Sequence, residues 1–401
     1  MKNLLKKLSE NTAYIFLFLI PVTHPAVRVL AKLIFLIFIL ELIIRRIKTV
    51  KEDAVALSLP LYQLIQSTFK GKLLLFLKIP QGITPIFSYF IRFLNFSEER
   101  GLNVLLYGIS ILSLSVILQS LSGANDYREL LEISKLHLTV IRPGHTFLGH
   151  PLTAGAFTSV GFFLSTFLYT QSRQKNYLLI ALITLTGTLL TFDRSYWVGV
   201  VSTSLISGLI YVKVKRVSLK RALLFGAPIL LIVVAAATVP QFKERLTSIV
   251  DVKNNGSNRY RLAMWKGGIE FYRGAPLNEK LFGTTRFNYK EEVGPFIEKE
   301  EVKFKLPPHV FSHLHNDYIT VLVWYGAVGL AIFLIVFGYF VYRNFLLFES
   351  TGSEIWLAFF SAYLVLLIGG FFEYNFEDES VKYLIYTLFA LNTKFIYSKN
   401  Q

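Results

Sequence analysis

The residues best placed to do chemistry begin at His315, which is followed by Asn316, nine residues, Gly326, two residues and Gly329. A histidine opening an apolar helix faces the unpaired N–H groups of the first turn, with Asn316 or Ser312 available to cap them. The positive end of such a helix disfavours imidazolium, so His315 is expected to be a neutral base that can take a proton from an attacking hydroxyl. Gly326 and Gly329 lie at i and i+3, where missing side chains let another helix approach and fix the histidine's direction. Arg194, in Asp193-Arg194-Ser195, falls in a short turn between two apolar blocks, which holds its guanidinium at a membrane interface. Alone it reads as a snorkelling anchor. With Arg261 on the same side, the two permanently charged forks could clamp a diphosphate. Arg259 competes with Arg261 for that place, and Arg142, in Arg142-Pro143-Gly144-His145, is a third candidate.

Other chemistry is weighed against these residues. His313 and His315 alternate, with His309 nearby, but without cysteine or a spaced carboxylate no metal is expected and His313 is assigned as an auxiliary polar contact. His145 and His150 read as loop histidines, with the lining of an acceptor path as the alternative. Glu373, Glu377, Asp378 and Glu379 read as a solvated acidic turn. Asp193, Asp317 and Glu373 show no paired spacing of the kind two cooperating carboxylates need, so no covalent intermediate is expected.

The elements that must position these groups are apolar. Of 401 residues, 53% are hydrophobic and 17% charged, and the mean hydropathy is +0.49. A soluble globular enzyme is excluded by that composition. The apolar residues come in blocks near the roughly 20 residues that cross a bilayer. Spans are placed at 12–27, 28–44, 53–69, 73–95, 101–120, 152–170, 177–192, 195–212, 222–239, 315–341, 355–373 and 380–397. The net charge of +16 sits in short basic clusters between blocks, at Lys2/Lys6/Lys7, Arg45/Arg46/Lys48/Lys51, Arg173/Lys175, Lys213 to Arg221, Arg343 and Lys394/Lys399. That is the positive-inside pattern and not a nucleic-acid face. Lys70-Gly71-Lys72 breaks it, so 53–95 is read as re-entrant or miscounted. Three regions follow: 1–239 with nine spans and an outer loop at 121–151, a polar loop domain at 240–314, and 315–401 with three spans. The start of the chain is read as a retained first span and not a cleaved leader. In 240–314 basic residues exceed acidic ones, which suggests an anionic ligand. Leu262, Trp265, Ile269 and Tyr272 recur at helical spacing, as in an amphipathic helix on a membrane surface.

The His-Asn element followed by Gly-x-x-Gly resembles the signature of the O-antigen ligase family, which related O-antigen polymerases and protein O-oligosaccharyltransferases share. Thr191 to Ser195 resembles that family's outer-face Arg-Ser turn, and Tyr260 to Trp265 its Arg-containing element in the large loop. Gly149 to Leu152 is a weaker match. The resemblance implies an all-α polytopic membrane protein of about twelve transmembrane helices with a large helical periplasmic loop, in the bacterial inner membrane. It implies a metal-independent, inverting glycosyltransferase without cofactor, acting on the periplasmic face. His315 would be the base, and Arg194 and Arg261 would hold the diphosphate. The donor would be an undecaprenyl-diphosphate-linked glycan and the acceptor lipid A-core, in lipopolysaccharide biosynthesis. The alternatives are an O-antigen polymerase, a protein O-oligosaccharyltransferase and a lipid-linked glycan transporter. A transporter should show internal repeats, matched broken helices and mid-bilayer ionisable residues, and the sequence displays none of these.

Overall fold

The computed structural model describes residues 2–44, 49–79, 81–131, 140–217, 226–251, 254–308 and 313–399. Among them the regular structure is helical: α1 (Lys2–Leu19), α2 (His24–Ile44), α3 (Lys51–Phe69), α4 (Leu73–Lys78), a 3-10 helix (Thr84–Phe93), α5 (Glu98–Ser122), a 3-10 turn (Tyr127–Leu131), α6 (Pro151–Ser172), α7 (Lys175–Leu190) and α8 (Arg194–Lys215). There follow α9 (Ala227–Thr238), α10 (Pro240–Val250), α11 (Gly256–Gly274), α12 (Leu277–Phe282), α13 (Tyr289–Glu292), α14 (Gly294–Lys303), α15 (Asp317–Thr351), α16 (Glu354–Gly369) and α17 (Glu379–Lys399). Four of these, α5, α6, α8 and α15, are long and apolar enough to cross a bilayer, and α7 and α16 are shorter apolar helices. Large apolar side chains such as Leu179, Leu209 and Ile335 point outward, which suits surrounding lipid.

Close packing in the bundle depends on small residues and on hydroxyl or amide pairs. Tyr196 of α8 lies against Gly155 of α6 and Gly369 of α16, where an added Cβ would come within 2.8 and 2.9 Å of its ring. Thr188 donates to Thr158 at 2.9 Å, and Ser207 and Ser361 pair at 2.7 Å. Asn344 of α15 and Asn392 of α17 exchange amide hydrogen bonds of 2.8 and 3.0 Å. In an apolar surrounding, where helix association gains little from hydrophobicity, such contacts hold helices in register.

The span read at 12–27 is divided by the turn between α1, which ends at Leu19, and α2, which starts at His24. Three further expectations change. The stretch 73–95 is not one helix. It is the six-residue α4 and a separate 3-10 helix, because Gly82 and Pro85 interrupt it and proline removes a helical donor. The span read at 315–341 is the 35-residue α15, which departs from helical geometry at Gly326 (φ 71°, ψ −176°). The glycine pair is therefore not a plain helix-packing motif. A Cβ on Gly326 would lie 2.2 Å from the carbonyl oxygen of Leu281, so the segment after α12 enters the break. The carbonyls freed there all find partners: Val323 from Thr284 N at 3.1 Å, Trp324 from Thr285 N at 3.0 Å and Gln66 at 2.7 Å, and Tyr325 from the Tyr62 hydroxyl at 2.6 Å. Gly329 does serve packing, since its Cβ would approach the Tyr62 ring at 3.0 Å.

The third change concerns the acidic turn between α16 and α17, which is not solvated: Glu373, Glu377 and Glu379 are buried. Glu379 takes both forks of Arg28 at 2.6 Å. Glu377 accepts from Gln63 at 2.8 Å and Tyr325 at 2.9 Å, beside Lys382 at 3.1 Å and Arg286 at 3.6 Å. Asp317 accepts from the backbone N–H groups of Asn375 and Phe376 at 2.9 and 3.0 Å. The turn is thereby pinned against the start of α15.

Candidate active site

The N-termini of α8 and α15 are built alike. Asp193 caps α8 by accepting from Ser195 N at 2.9 Å, and Asn316 caps α15 by accepting from Ile319 N at 2.9 Å. The residue before each cap, Phe192 (φ 52°) and His315 (φ 46°), sits in the left-handed region. Side chains pay of order 1–2 kcal/mol to sit there, so the surroundings must hold both turns. For His315 they include Trp265, whose indole N–H donates to Leu314 O at 2.9 Å and to His315 O at 3.3 Å. Asn316 also ties its amide to Phe371 O at 2.8 Å. Ser312, the other proposed cap, and His309 lie outside the described residues, as do Arg45, Arg46, Lys48, Lys220 and Arg221 from the basic clusters.

Between the two caps lies Glu373. One carboxylate oxygen meets Arg261 Nη2 at 2.5 Å and accepts the Ser195 hydroxyl at 3.0 Å. The other lies 3.3 Å from His315 Nδ1. Burial alone would raise its carboxyl, but Arg261, His315 and Ser195 outweigh that and hold it below the ordinary value. Asp193 goes the other way, lifted to about 7 by burial and then by the charge of Glu373. These two carboxylates do come together in space, although the sequence showed no pairing. Neither is offered as a nucleophile: both oxygens of Glu373 are engaged, and the second oxygen of Asp193 is buried without a partner.

A polar cavity of about 380 Å³ opens beside this group, with Arg142, Arg194, Arg245, Arg261, His150 and His315 among its walls. An apolar cavity of about 160 Å³ adjoins it, lined by Val198, Ile249, Leu262, Trp265 and Phe372, and shares Arg194, Ser195 and Arg261 with it. Arg194 is buried and fixed by the carbonyl and hydroxyl of Ser248, at 2.8 and 2.9 Å. Asn258 of α11 binds the same carbonyl at 2.7 Å, which couples α10 and α11 to that arginine.

The sequence candidates thus separate. His315, Arg194, Arg261 and Arg142 reach one cavity. Arg259 does not: its guanidinium donates to Phe304 O, so the choice left open between Arg259 and Arg261 falls to Arg261. His313 stacks on Tyr374 with ring centroids 4.1 Å apart and lies 4.3 Å from the His315 ring. Burial, and then His315, lower its imidazole to about 3, so it stays neutral. His150 lines the cavity and caps α6 through Nδ1, which accepts from Leu152 N at 3.2 Å. His145 is exposed and is not among the lining residues. Sequence reading missed Arg245 and the central place of Glu373. For Arg245 the surplus of basic residues in 240–314 was the only signal.

Residues 179–334 match the family described as O-antigen ligase. Over that segment the chain is similar to the O-antigen ligase family. That segment contains Arg194, Arg245, Arg261 and His315, while Arg142, His150 and Glu373 come from outside it. It supports a membrane glycosyltransferase of the O-antigen ligase or polymerase type. Among curated proteins no match to the chain is found.

Proposed function

We propose that the protein is an O-antigen ligase, which transfers a preassembled glycan from undecaprenyl diphosphate to lipid A-core oligosaccharide at the periplasmic face of the bacterial inner membrane. The observation that carries this reading is the meeting of two cavities at Arg194 and Arg261, one polar with His315 in its wall and one apolar. A lipid diphosphate sugar has the same order of parts. Its prenyl end suits the apolar side, its diphosphate the two guanidiniums, and its first sugar the polar side.

His315 turns Nδ1 toward Glu373, so an Nδ1–H donated to that carboxylate leaves Nε2 as the basic atom. The acceptor hydroxyl gives its proton to Nε2 as its oxygen attacks the anomeric carbon. The bond from that carbon to the diphosphate breaks on the opposite face, giving inversion and free undecaprenyl diphosphate. Arg194 and Arg261 stabilise the charge gathering on the leaving group, from positions fixed before the reaction begins. His313 and Asn316 keep the base in place, and the chemistry runs without metal or cofactor. In this reading the chain crosses the membrane about twelve times and 240–314 is a periplasmic loop domain.

The test is transfer in reconstituted membranes given donor and lipid A-core together and each alone. A glycan ladder on lipid A-core only when both are present is the expected result. Lengthening of the donor glycan without lipid A-core would replace the ligase by a polymerase. His315→Ala should abolish transfer and leave undecaprenyl diphosphate binding intact. Normal transfer by that variant would remove the base assignment.

A further inference from the structure

The polar cavity holds more permanent positive charge than one diphosphate needs. Four guanidiniums line it, from the 140–150 loop (Arg142), α8 (Arg194), α10 (Arg245) and α11 (Arg261). Arginine keeps its proton at any physiological pH, so its charge is balanced only by an anion. Glu373 is already committed to Arg261 and His315. Asp193, the carboxylate in the wall itself, is lifted to about 7 by burial, which weakens it as a counterion. Among the described residues neither Arg142 nor Arg245 has an ion pair, and Arg142 Nε is buried with no hydrogen-bond partner. Burial, and then the charge of Arg245, disfavour the Arg142 guanidinium further. The charges of Asp193 and Glu373 offset this only in part, and repulsion of this kind built into a cavity is the mark of a place for an anion.

We propose that Arg142 and Arg245 form a second anion subsite in the polar cavity, which takes a phosphate or carboxylate carried by a sugar lying beside the diphosphate. This rests on the reading of Arg194 and Arg261 as the diphosphate clamp. Two sources share the chemistry: an acidic group on the acceptor saccharide, or one on the sugars of the donor glycan. In either case the subsite selects saccharides by charge and leaves the leaving group to the other pair.

The experiment titrates the purified full-length protein in nanodiscs with mannose 6-phosphate, galacturonate and mannose, before and after saturation with undecaprenyl diphosphate. The two anionic sugars should bind in both conditions and mannose in neither. Arg142→Gln and Arg245→Gln should each weaken anionic sugar binding by about tenfold or more, the loss of a charge-assisted contact. Both should leave undecaprenyl diphosphate affinity unchanged, which also shows that the variants fold. Arg194→Gln should do the reverse. Displacement of the anionic sugars by undecaprenyl diphosphate, or equal loss of undecaprenyl diphosphate affinity in all three variants, would mean a single four-arginine site and would overturn the proposal. So would an absence of sugar binding. Should undecaprenyl diphosphate itself fail to bind the wild type, the donor reading falls while the sugar titration still decides the subsite. Transfer assays then separate the sources: a defect of the Arg142→Gln, Arg245→Gln double variant that vanishes with a dephosphorylated acceptor assigns the anion to the acceptor. A defect that vanishes with an uncharged donor glycan assigns it to the donor.

Discussion

Asp193, in the cavity wall, and Glu373, behind it, respond in opposite directions, because Glu373 touches Arg261 and His315 while Asp193 is left with a backbone N–H. For Asp193 the folded value of about 7 lies above its ordinary 3.8. Between those values the folded chain binds more protons than the unfolded one, so this group's contribution to stability falls as pH rises through that window. Asp193→Asn keeps a cap and removes the titration. Its melting temperature relative to the wild type should therefore climb from pH 5 to pH 8, and a difference independent of pH would contradict the assignment. Glu373→Gln keeps the bulk and the Ser195 contact but drops the charge that orients His315. Turnover should fall by about a hundredfold, the scale of general-base effects, while the unneutralised Arg261 lowers the KM for donor. A merely structural role would worsen both parameters together. The sequence singled out His315, Arg194 and Arg261 as candidates because each lies in a short motif, the first two at a helix start. Glu373 was illegible, since it reaches His315 from across another span and four clustered acidic residues look like a solvated turn unless their partners are known.

At the scale of elements, the Gly326 break decides how 281–285 and α3 meet α15. A side chain there meets a positive φ and a backbone carbonyl together, so Gly326→Ala should lower stability by roughly 2–4 kcal/mol, the combined scale of backbone strain and overpacking. Gly338, in the regular part of the same helix, has nothing within 4 Å of its would-be Cβ. Gly338→Ala should be neutral or stabilising by up to about 1 kcal/mol. Thermal unfolding in one detergent compares them, and equal effects would mean that the break is unimportant. Helices over most apolar blocks were legible from length and hydropathy, and four of them are long and apolar enough to cross a bilayer. This break was not, because Gly-x-x-Gly is also the pattern of two helices packed closely, and only the position of 281–285 distinguishes the cases. The stretch 73–95 misled for a related reason: hydropathy counts apolar residues without registering that Gly82 and Pro85 end a helix.

Across the whole molecule the chemistry-bearing groups collect at one end of the bundle and a set of basic contacts at the other. α8 begins at Arg194 in the cavity and ends at Lys215, which pairs with Glu354 at 2.9 Å. α15 begins beside the cavity and carries Arg343, 3.5 Å from Glu52, in its far half. The proposed function puts that far end in the cytoplasm, as the positive-inside pattern expects. The chain contains no cysteine, so single cysteines can report sidedness without background. In intact spheroplasts an impermeant maleimide should label Lys290→Cys and Glu298→Cys and spare Lys175→Cys and Arg216→Cys; the converse pattern would invert the topology. The break at Gly326 also sets an order of assembly. An isolated α15 would present the carbonyls of 323–325 to hydrocarbon, at a cost of several kcal/mol for each one left bare. Thr284 and Thr285 supply the missing donors from a segment made earlier in synthesis, and Tyr62 and Gln66 supply others from α3. The last three helices can thus settle only after the first part of the chain has been placed and the preceding loop has docked, which makes the break a checkpoint in the protein's own biogenesis.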